Sequence, residues 1–357
     1  MEVLKAYKYD LRPNKVQKVL LNKHFGSVRW VYNHFLDDRK KQYLETKKSD
    51  SYNSQAKKLT VIKNKEETIW LKEINSQTLQ ASLKNIEVAY LNFFHGNAKF
   101  PRFKSKYKKN SFNVPQHVKL ENKKIFFPKF KQGIRVNQYR EFNGEIRNCT
   151  VSKAKSGKYY VSVLVKTNHI PYKKTGKITG IDLGIKVFAI TSDDKKFKNH
   201  KWTKKYEKSL RRAQQHLSRK IKGSQQYKNQ RLKVAKIYEK ISNCRKDNLH
   251  KVSTDLIKSY DLICLESLSV KSMIKNRTLA KHIQDVSWSN FVRILEYKAE
   301  WNKKTIIKID RFFPSSKLCS NCGWIKQDLT LKDRKWTCEI CNCVHDRDVN
   351  ASKNILS

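Results

Sequence analysis

The C-terminal segment, residues 319–357, constrains the fold of this chain more than any other stretch. Cys319 and Cys322 form one C-x2-C pair, and Cys338 and Cys341 form a second pair after fifteen intervening residues. This spacing is typical of a four-thiolate zinc site, because each tight turn can direct two sulfurs at one tetrahedral ion. A structural zinc orders a knuckle with too little apolar surface to fold alone. The sequence therefore predicts one structural Zn²⁺ at these four cysteines.

Cys343 is the alternative fourth zinc ligand. It lies two residues after Cys341 and could compete with it for the ion. Cys341 is preferred because it keeps the two-residue spacer of the first pair. The other cysteines are expected to be reduced core residues, since intracellular chains seldom form disulfides; they are Cys149, Cys244 and Cys264.

The charge balance predicts a nucleic-acid partner. Lys and Arg number 78 against 31 Asp and Glu, which gives a formal net charge of +47. A charge of this size attracts a polyanion, and a long RNA or DNA is needed to neutralise it. A merely solubilising surface is the alternative, but the basic residues are interleaved with Trp, Tyr and Phe throughout the chain.

Length and hydropathy set further bounds. A chain of 357 residues allows two or three compact units. Apolar residues make up 38% and aromatic residues 11%, so packed cores are available. No window approaches the roughly 18 consecutive apolar residues of a membrane span, and the N-terminus lacks the apolar core of a signal peptide. We expect a cytoplasmic protein without membrane contact.

The first half of the chain predicts helices inserted into a β-rich region. Residues 3–9 alternate apolar with basic and predict a strand with one wet face. Asn14 is placed to cap a helix that continues to about Leu44, and residues 75–95 repeat apolar residues every three and four positions. The polar, lysine-rich segment 46–66 is either a hinge or a solvated helix.

Basic and aromatic residues alternate from Lys99 to Phe112. Two compatible interpretations remain: the rings stack on bases while Lys and Arg hold phosphates, or the rings face a core and the lysines face water. Residues 117–167 form short strand-like runs broken by Asn and Gly, which predicts a β-barrel or a curled sheet. The strand at 3–9 is expected to join it.

A different kind of domain begins after residue 176. Its apolar runs predict buried strands that alternate with helices. The predicted elements are strands at 178–183, 187–190, 261–265 and 305–309, and helices at about 203–258 and 285–302.

Three carboxylates lie within or beside apolar elements, at positions where packing does not call for an acidic residue. Asp182 lies in an apolar strand, Glu266 follows the run DLICL, and Asp348 opens a terminal helix. Taken singly they have ordinary explanations, as a turn residue, a loop carboxylate and a helix N-cap. Taken together they would repel one another unless cations lie between them, and hard oxygen ligands suit Mg²⁺.

Two Mg²⁺ ions roughly 4 Å apart can activate a water and stabilise the leaving oxygen in phosphodiester hydrolysis. The order strand-Asp, hairpin, helix, strand-Glu, helix, late Asp is that of RNase H-like nucleases. The predicted catalytic residues, which are also the Mg²⁺ ligands, are therefore Asp182, Glu266 and Asp348. Asp346 is the rival for the third position, and its expected role is to cap the terminal helix.

Several motifs resemble the TnpB (OrfB) family of transposon-encoded nucleases, relatives of the compact type V CRISPR effectors. The resemblance covers the whole chain, and its C-terminal motifs are the most specific. The segments that carry it are AYKYDLRPNKVQKVLL at 6–21, FPRFKSK at 100–106, GIDLG at 180–184, LES at 265–267, FPSSKLCSNCG at 313–323 and CEICNCVHDRDVNASKNI at 338–355. One departure is Asn342, because the position after the second cysteine pair is usually Gly in this family.

The resemblance implies an RNA-guided DNA endonuclease. In the family, the protein binds a guide RNA from the transposon end, a short transposon-adjacent motif on duplex DNA is recognised, and one RuvC-type site cuts both strands. Base pairing then supplies sequence specificity, while the protein supplies a positive channel for the RNA–DNA hybrid. The implied partners are guide RNA and double-stranded DNA, bound by a protein monomer at the nucleoid of a prokaryotic cell.

The resemblance also implies a multidomain α+β fold with a RuvC-like, RNase H-like α/β nuclease domain. The implied parts are a β-barrel wedge domain at 1–12 and 99–175, an inserted helical recognition domain at 13–98, the nuclease domain at 176–318 and 344–357, and a zinc-binding, target-nucleic-acid-binding insert at 319–343.

Other functions are compatible with some of these motifs. A compact type V CRISPR effector would use an array-derived guide, and genomic context would separate it from a transposon nuclease. An RNA-guided repressor would bind DNA without cutting, but such relatives have lost catalytic acids, whereas all three are present here. A self-sufficient transposase is disfavoured, since the sequence offers no separate nucleophilic Tyr or His-rich site.

Overall fold

The computed structural model describes residues 1–330 and 332–357. Residues 2–168 form one compact unit, and residues 169–357 together with Met1 form a second. Across the described ranges, no helix combines the length and the hydropathy that a membrane crossing requires.

The first unit combines α-helices with an antiparallel sheet. Its strands are β1 (Glu2–Arg12), β2 (Asn110–Val114), β3 (Lys119–Glu121), β4 (Lys124–Phe126), β5 (Ile134–Asn137), β6 (Glu145–Lys153) and β7 (Tyr159–Asn168). Its helices are α1 (Lys15–Thr46), α2 (Tyr52–Ile62) and α3 (Ser76–Phe94), with a 3-10 helix at Glu66–Glu73. The predicted first strand and the two predicted helices are confirmed. The polar segment 46–66 contains the solvated helix α2 rather than a simple hinge.

The sheet of the first unit runs β2-β6-β7-β1-β5-β4-β3. The N-terminal strand β1 is its central member, antiparallel to β7 along Glu2–Leu11 and to β5 at Asp10–Arg12. The prediction that the first strand joins the later ones is therefore confirmed. In the described part of the chain the strand order has two ends, β2 and β3, so the sheet is curled rather than a closed barrel.

Helices and sheet of the first unit share one hydrophobic core. Phe25 of α1, Leu83 of α3, Phe112 of β2 and Val161 of β7 are all buried in it. Asn14 begins α1 with a capping box, accepting a hydrogen bond from the backbone N–H of Gln17 at 2.8 Å, as its sequence position predicts.

The basic and aromatic segment from Lys99 to Phe112 divides between the two interpretations. Phe112 is a core residue, whereas Phe103 and Tyr107 are exposed. The Nζ atom of Lys40 lies 4.5 Å from the ring centroid of Phe103. The end of the segment therefore packs as a strand, and its earlier rings stay accessible.

The second unit is α/β. Its strands are β8 (Ile178–Asp182), β9 (Val187–Thr191), β10 (Lys196–Lys198), β11 (Leu262–Glu266), β12 (Thr305–Ile309), β13 (Lys335–Thr337) and β14 (Val344–Asp346). Its helices are α4 (Trp202–Lys205), α5 (Glu207–Ser218), α6 (Gln225–Ser259), α7 (Val270–Met273), α8 (Arg277–Val286), α9 (Trp288–Asn302) and α10 (Arg347–Leu356). The predicted helical stretch 203–258 is broken near Gly223, where the backbone takes a positive φ of 91° before Ser224 caps α6.

The larger sheet of the second unit runs β10-β9-β8-β11-β12. Strands β8, β11 and β12 are parallel, and β9 and β10 extend the sheet in antiparallel hairpins. Its core includes Ile181, Phe188, Ile263 and Phe291, so helix α9 covers one face of the sheet. The four strands predicted in this region are confirmed.

Helix α10 packs directly on β8 because Gly180 has no side chain. A Cβ at this position would lie 2.1 Å from the carbonyl oxygen of Ser352 and 2.7 Å from the amide nitrogen of Leu356. Only glycine permits this approach of two backbones. The GID motif of β8 therefore fixes where the C-terminal helix lies.

Candidate active site and metal centre

Two of the three predicted acids end neighbouring parallel strands. Asp182 is the last residue of β8, and Glu266 is the last residue of β11. The register pairs Ile181 with Leu265, one residue before each acid. Because the carboxyl ends of parallel strands meet at one edge of a sheet, the two carboxylates come to the same place.

The third acid arrives on the helix that packs against β8. Asp348 is the second residue of α10. Asp346 is the N-cap of this helix, and its Oδ1 accepts hydrogen bonds from the backbone N–H groups of Asp348 and Val349 at 3.1 and 3.2 Å. The expectation that Asp346 caps the helix is confirmed, which leaves the carboxylate of Asp348 available for another role.

The electrostatics show that the three acids are neighbours. The pKa of Asp182 is raised to about 7, first by burial and then by the charges of Glu266 and Asp348. The Asp348 carboxylate forms ion pairs with Arg334 at 3.2 Å and with Arg347 at 3.1 Å. The acids converge on one region, but within the described residues only the four-cysteine cluster has candidate ligand atoms all within 4.8 Å of one another.

A buried hydrogen-bond chain, which the sequence reasoning missed, connects Glu266 to α10. The Ser315 hydroxyl donates to Oε1 of Glu266 at 2.5 Å, and the Ser315 carbonyl accepts from Nδ2 of Asn354 at 2.8 Å. Asn350 donates to the Leu318 carbonyl at 2.6 Å, next to Cys319. The signal for these residues was their place in the FPSS and VNASKN segments, where apolar packing alone requires no Ser or Asn.

The four predicted zinc ligands come together. The Sγ atoms of Cys319 and Cys341 are 3.6 Å apart, and those of Cys322 and Cys338 are 3.5 Å apart. A tetrahedral ion with Zn–S bonds of about 2.3 Å holds its sulfurs about 3.8 Å apart. The donor set therefore fits Zn²⁺ in both chemistry and separation.

Two equivalent turns bring the pairs into position. The N–H of Gly323 donates to the Cys319 carbonyl at 2.9 Å, and the N–H of Asn342 donates to the Cys338 carbonyl at 3.0 Å. Gly323 and Asn342 both have positive φ, at 78° and 56°. Asn is the residue other than Gly that most readily adopts this left-handed conformation, so Asn342 can form the same turn as Gly323.

Cys343 lies outside the four-sulfur cluster. Its backbone carbonyl instead accepts a hydrogen bond from the Cys338 N–H at 2.9 Å. Hydrogen bonds from the Asn321 side chain and then from the Cys343 backbone lower the pKa of Cys341 to about 6. His345 was not anticipated: its Nε2 lies 3.1 Å from the sulfur of Cys319.

Comparison with known families matches three segments of the chain. Residues 158–277 match the family OrfB_IS605, described as a probable transposase, and residues 288–355 match a Cas12f1-like TNB domain. Residues 1–48 match a helix-turn-helix domain. Here those 48 residues form the strand β1 and the single helix α1.

Two relatives extend the match over the whole chain, and a third covers part of it. Two carry the name "Putative RNA-guided DNA endonuclease". The Streptomyces pristinaespiralis protein is 36% identical over 362 residues, covering 100% of this chain and 89% of the relative. The Escherichia coli protein InsQ is 34% identical over 375 residues, covering 100% and 92%. A Methanocaldococcus jannaschii "TnpB-like protein" is 29% identical over 229 residues, covering 58% and 81%.

The comparison with solved structures includes a match over the whole chain. It is the protein of a Cas12f1-sgRNA-target DNA complex determined by cryo-electron microscopy. The TM-score is 0.55 at 12% identity, covering 100% of this chain and 99% of the other. The likeness is one of fold.

Proposed function

The chain belongs to the TnpB (OrfB) family, and we propose on that premise that it is an RNA-guided DNA endonuclease. It binds a transposon-derived guide RNA, recognises a short motif beside the transposon and cleaves double-stranded DNA at one RuvC-like site. The observation that carries the proposal is the convergence of Asp182, Glu266 and Asp348 at one edge of the second sheet. The names of the full-length relatives and the net charge of +47 support it.

The carboxylates suit a divalent cation. Burial and the two neighbouring acids disfavour the charged form of Asp182, and a cation between the three would remove that cost. The residues that would hold Mg²⁺ are Asp182, Glu266 and Asp348, whose oxygens are the ligands that this ion prefers. Two bound Mg²⁺ ions would supply an activated water and stabilisation of the leaving oxygen.

The surrounding residues orient these acids. Ser315 holds one oxygen of Glu266, which leaves the other free of this hydrogen bond. Arg334 and Arg347 balance the charge of Asp348 and limit where its carboxylate can point. Together with the burial of Asp182, these contacts hold the carboxylates in place before substrate binds, so little reorganisation is needed at the moment of reaction.

The proposed zinc site is structural. Four thiolates leave no open coordination position for substrate, which is typical of zinc that supports a fold. The four cysteines of the knuckle precede α10, so the ion would hold the base of the helix that carries Asp348. Zinc would thereby support the nuclease site without taking part in its chemistry.

The proposed division of labour follows the two units. Residues 1–12 and 99–175 would form the wedge and 13–98 the recognition domain, both binding nucleic acid. Residues 176–318 and 344–357 would form the RuvC-like nuclease, with the zinc-bearing insert at 319–343. A single protein chain would bind one guide RNA.

The test begins with the RNA that the protein carries. The chain is expressed with its native flanking DNA, purified in moderate salt, and the co-eluting RNA is sequenced. One discrete RNA is expected, and it permits a cleavage assay on matched DNA with Mg²⁺. Only heterogeneous RNA that is lost on raising the salt would contradict RNA guidance.

The nuclease site is tested by Asp182→Ala. Cleavage of matched DNA should fall below detection while guide RNA remains bound, because only the acid cluster is changed. Asp194→Ala is the matched control, since this exposed acid of the same unit pairs only with Lys196 among the described ion pairs. Cutting that survives Asp182→Ala would show that the active site lies elsewhere.

A further inference from the structure

A groove of about 590 Å³ lies beside Glu266, where β11 ends, α9 begins and the chain leaves β12. We propose that this groove binds one nucleotide of the DNA strand next to the phosphodiester that is cut, with its base on Phe312 and its phosphate on Arg293 and Arg311. The inference rests on the proposed function, because it takes Glu266 as part of the nuclease site.

Phe312 offers the surface for a base. Its side chain is 77% exposed, although it is a large apolar ring. Its backbone N–H donates to Oδ1 of Asp310 at 2.7 Å, which fixes the turn that presents it. The Arg311 guanidinium lies 4.5 Å from the ring centroid. An exposed ring beside a cation is the combination by which proteins bind single-stranded nucleic acid without reading its sequence.

The groove also offers cations that no carboxylate neutralises. Lys308 is paired with Glu296 at 2.5 Å, so these two charges cancel. In the described part of the chain, neither Arg293 nor Arg311 has a carboxylate within ion-pair distance. Arg293 donates a long hydrogen bond of 3.5 Å to the side chain of Asn290. Two available guanidinium groups beside an acidic site suit a phosphate, for which arginine provides paired donors.

The residues of the groove act as a set. An isolated exposed ring would be ordinary surface, whereas here the ring of Phe312 lies with Arg293 and Arg311 in one groove that also includes Glu266, a proposed catalytic acid. This combination indicates a subsite for a nucleotide.

The decisive experiment combines removal of one base from the DNA with replacement of Phe312. DNA targets with one abasic nucleotide at successive positions around the cut are cleaved by wild type and by Phe312→Ala, both as complexes with guide RNA. For wild type, kcat/KM should fall about tenfold at one position next to the cut. For Phe312→Ala the loss should already be present on intact DNA, and the same abasic nucleotide should cause no further loss. Phe312→Trp keeps a ring and should restore the rate.

Arg293→Gln tests the phosphate contact. Cleavage should fall about tenfold, and the slope of log(kcat/KM) against log[salt] should become shallower by about one. Arg277→Gln is the matched control, because Arg277 is an exposed arginine of the same unit outside the groove. If the abasic effect is equal in wild type and Phe312→Ala, or if both arginine variants behave alike, the groove does not bind the strand.

Binding is measured separately from cutting. A short single-stranded DNA with one 2-aminopurine should lose fluorescence on binding to the Asp182→Ala chain, because the base stacks on the ring. The double variant with Phe312→Ala should lose at least half of that quenching. If wild type cuts no DNA yet this quenching depends on Phe312, the proposed function fails and the groove stands. If cutting is normal and the quenching does not depend on Phe312, only the proposed nucleotide site in the groove is wrong.

Discussion

At the scale of single residues, buried polar side chains carry the specific interactions of both units. Ser315 and Asn354 link Glu266 to α10 in the second unit. In the first unit His24 is 1% exposed, and its Nδ1 lies 2.8 Å from the Leu20 carbonyl. Each of these side chains makes a specific hydrogen bond in a buried place, so replacing it should change stability or activity measurably.

Ser315→Ala should weaken the response to Mg²⁺. Oε1 of Glu266 would lose its donor, and a hydrogen bond to a charged group contributes about 1.5–3 kcal/mol. The Mg²⁺ concentration for half-maximal cleavage should rise about tenfold, as should the dissociation constant for Mn²⁺ measured by electron paramagnetic resonance. Ser316→Ala, one residue away, is the control and should leave both values unchanged. Equal Mn²⁺ affinities for the two variants would show that Ser315 does not contribute to metal binding.

His24 should make the stability of the first unit depend on pH. Burial lowers its pKa from 6.5 to about 4, and its Nε2 has no partner among the described residues. The unfolded chain therefore binds a proton at His24 more tightly than the folded chain does. The contribution of neutral His24 to the free energy of unfolding is complete above pH 6.5 and is lost as the pH falls toward 4. The loss is at most about 3 kcal/mol.

Urea unfolding between pH 7 and pH 4.5 measures this effect. His24→Phe should flatten the pH dependence, since the ring already packs against Phe112 and Phe130. His216→Phe changes an exposed histidine of α5 and should keep the wild-type slope. The same slope in all three proteins would assign the dependence to other groups.

At the scale of secondary-structure elements, the meeting of β8 and α10 brings a distant part of the sequence to the acid cluster. The contact depends on one glycine, because the backbones of Gly180 and Ser352 come too close for any Cβ. The base of α10 is also connected to the first C-x2-C turn through Asn350, which accepts a hydrogen bond from the Ser320 N–H at 3.0 Å and donates one to the Leu318 carbonyl.

Gly180→Ala should displace α10. A Cβ 2.1 Å from a carbonyl oxygen cannot be accommodated, and neither backbone can move alone. We expect a lower melting temperature and a loss of cleavage of at least about a hundredfold, since a misplacement of 1 Å costs about that much. Gly26→Ala in α1 is the control: a Cβ there meets nothing within 4 Å, and alanine should stabilise the helix by up to about 1 kcal/mol. Normal cutting by Gly180→Ala would mean that α10 does not position Asp348.

Cys341→Ser and Cys343→Ser should separate the two candidates for the fourth zinc ligand. Only the sulfur of Cys341 lies in the cluster, so its loss should lower the bound zinc and the rate of cleavage together. The Cys343→Ser protein should retain one zinc per chain and the wild-type rate of cleavage. The measurement is metal content by mass spectrometry alongside the cleavage rate; the reverse pattern would assign Cys343 as the ligand.

At the scale of the whole molecule, charge and division into units determine what the chain can bind. Much of the +47 lies outside the two main cores. Helices α5 and α6 have a small core of their own around Leu210 and Val234, and their remaining faces are crowded with exposed Lys and Arg. Such surfaces repel themselves unless an anion is present, so a polyanion should stabilise the chain as well as occupy it.

The sequence by itself determined the elements and the chemistry. Periodicity located the strands and the long helices, and spacing identified four cysteines whose sulfurs do come together. The three acids could be named as candidates because apolar packing gives no reason for a carboxylate at these positions. The predictions of elements and of the cysteine cluster succeed because they depend on neighbours in the chain or on residue type, both of which are written in the sequence.

Only the tertiary structure decided which distant residues come into contact. The order of the first sheet, the Ser315–Glu266 hydrogen bond and the groove at Phe312 all depend on contacts between residues far apart in sequence. Such contacts arise when elements pack, and a side chain's burial or partner is set by the element that arrives beside it. Local sequence does not contain that information, whereas the packed fold does.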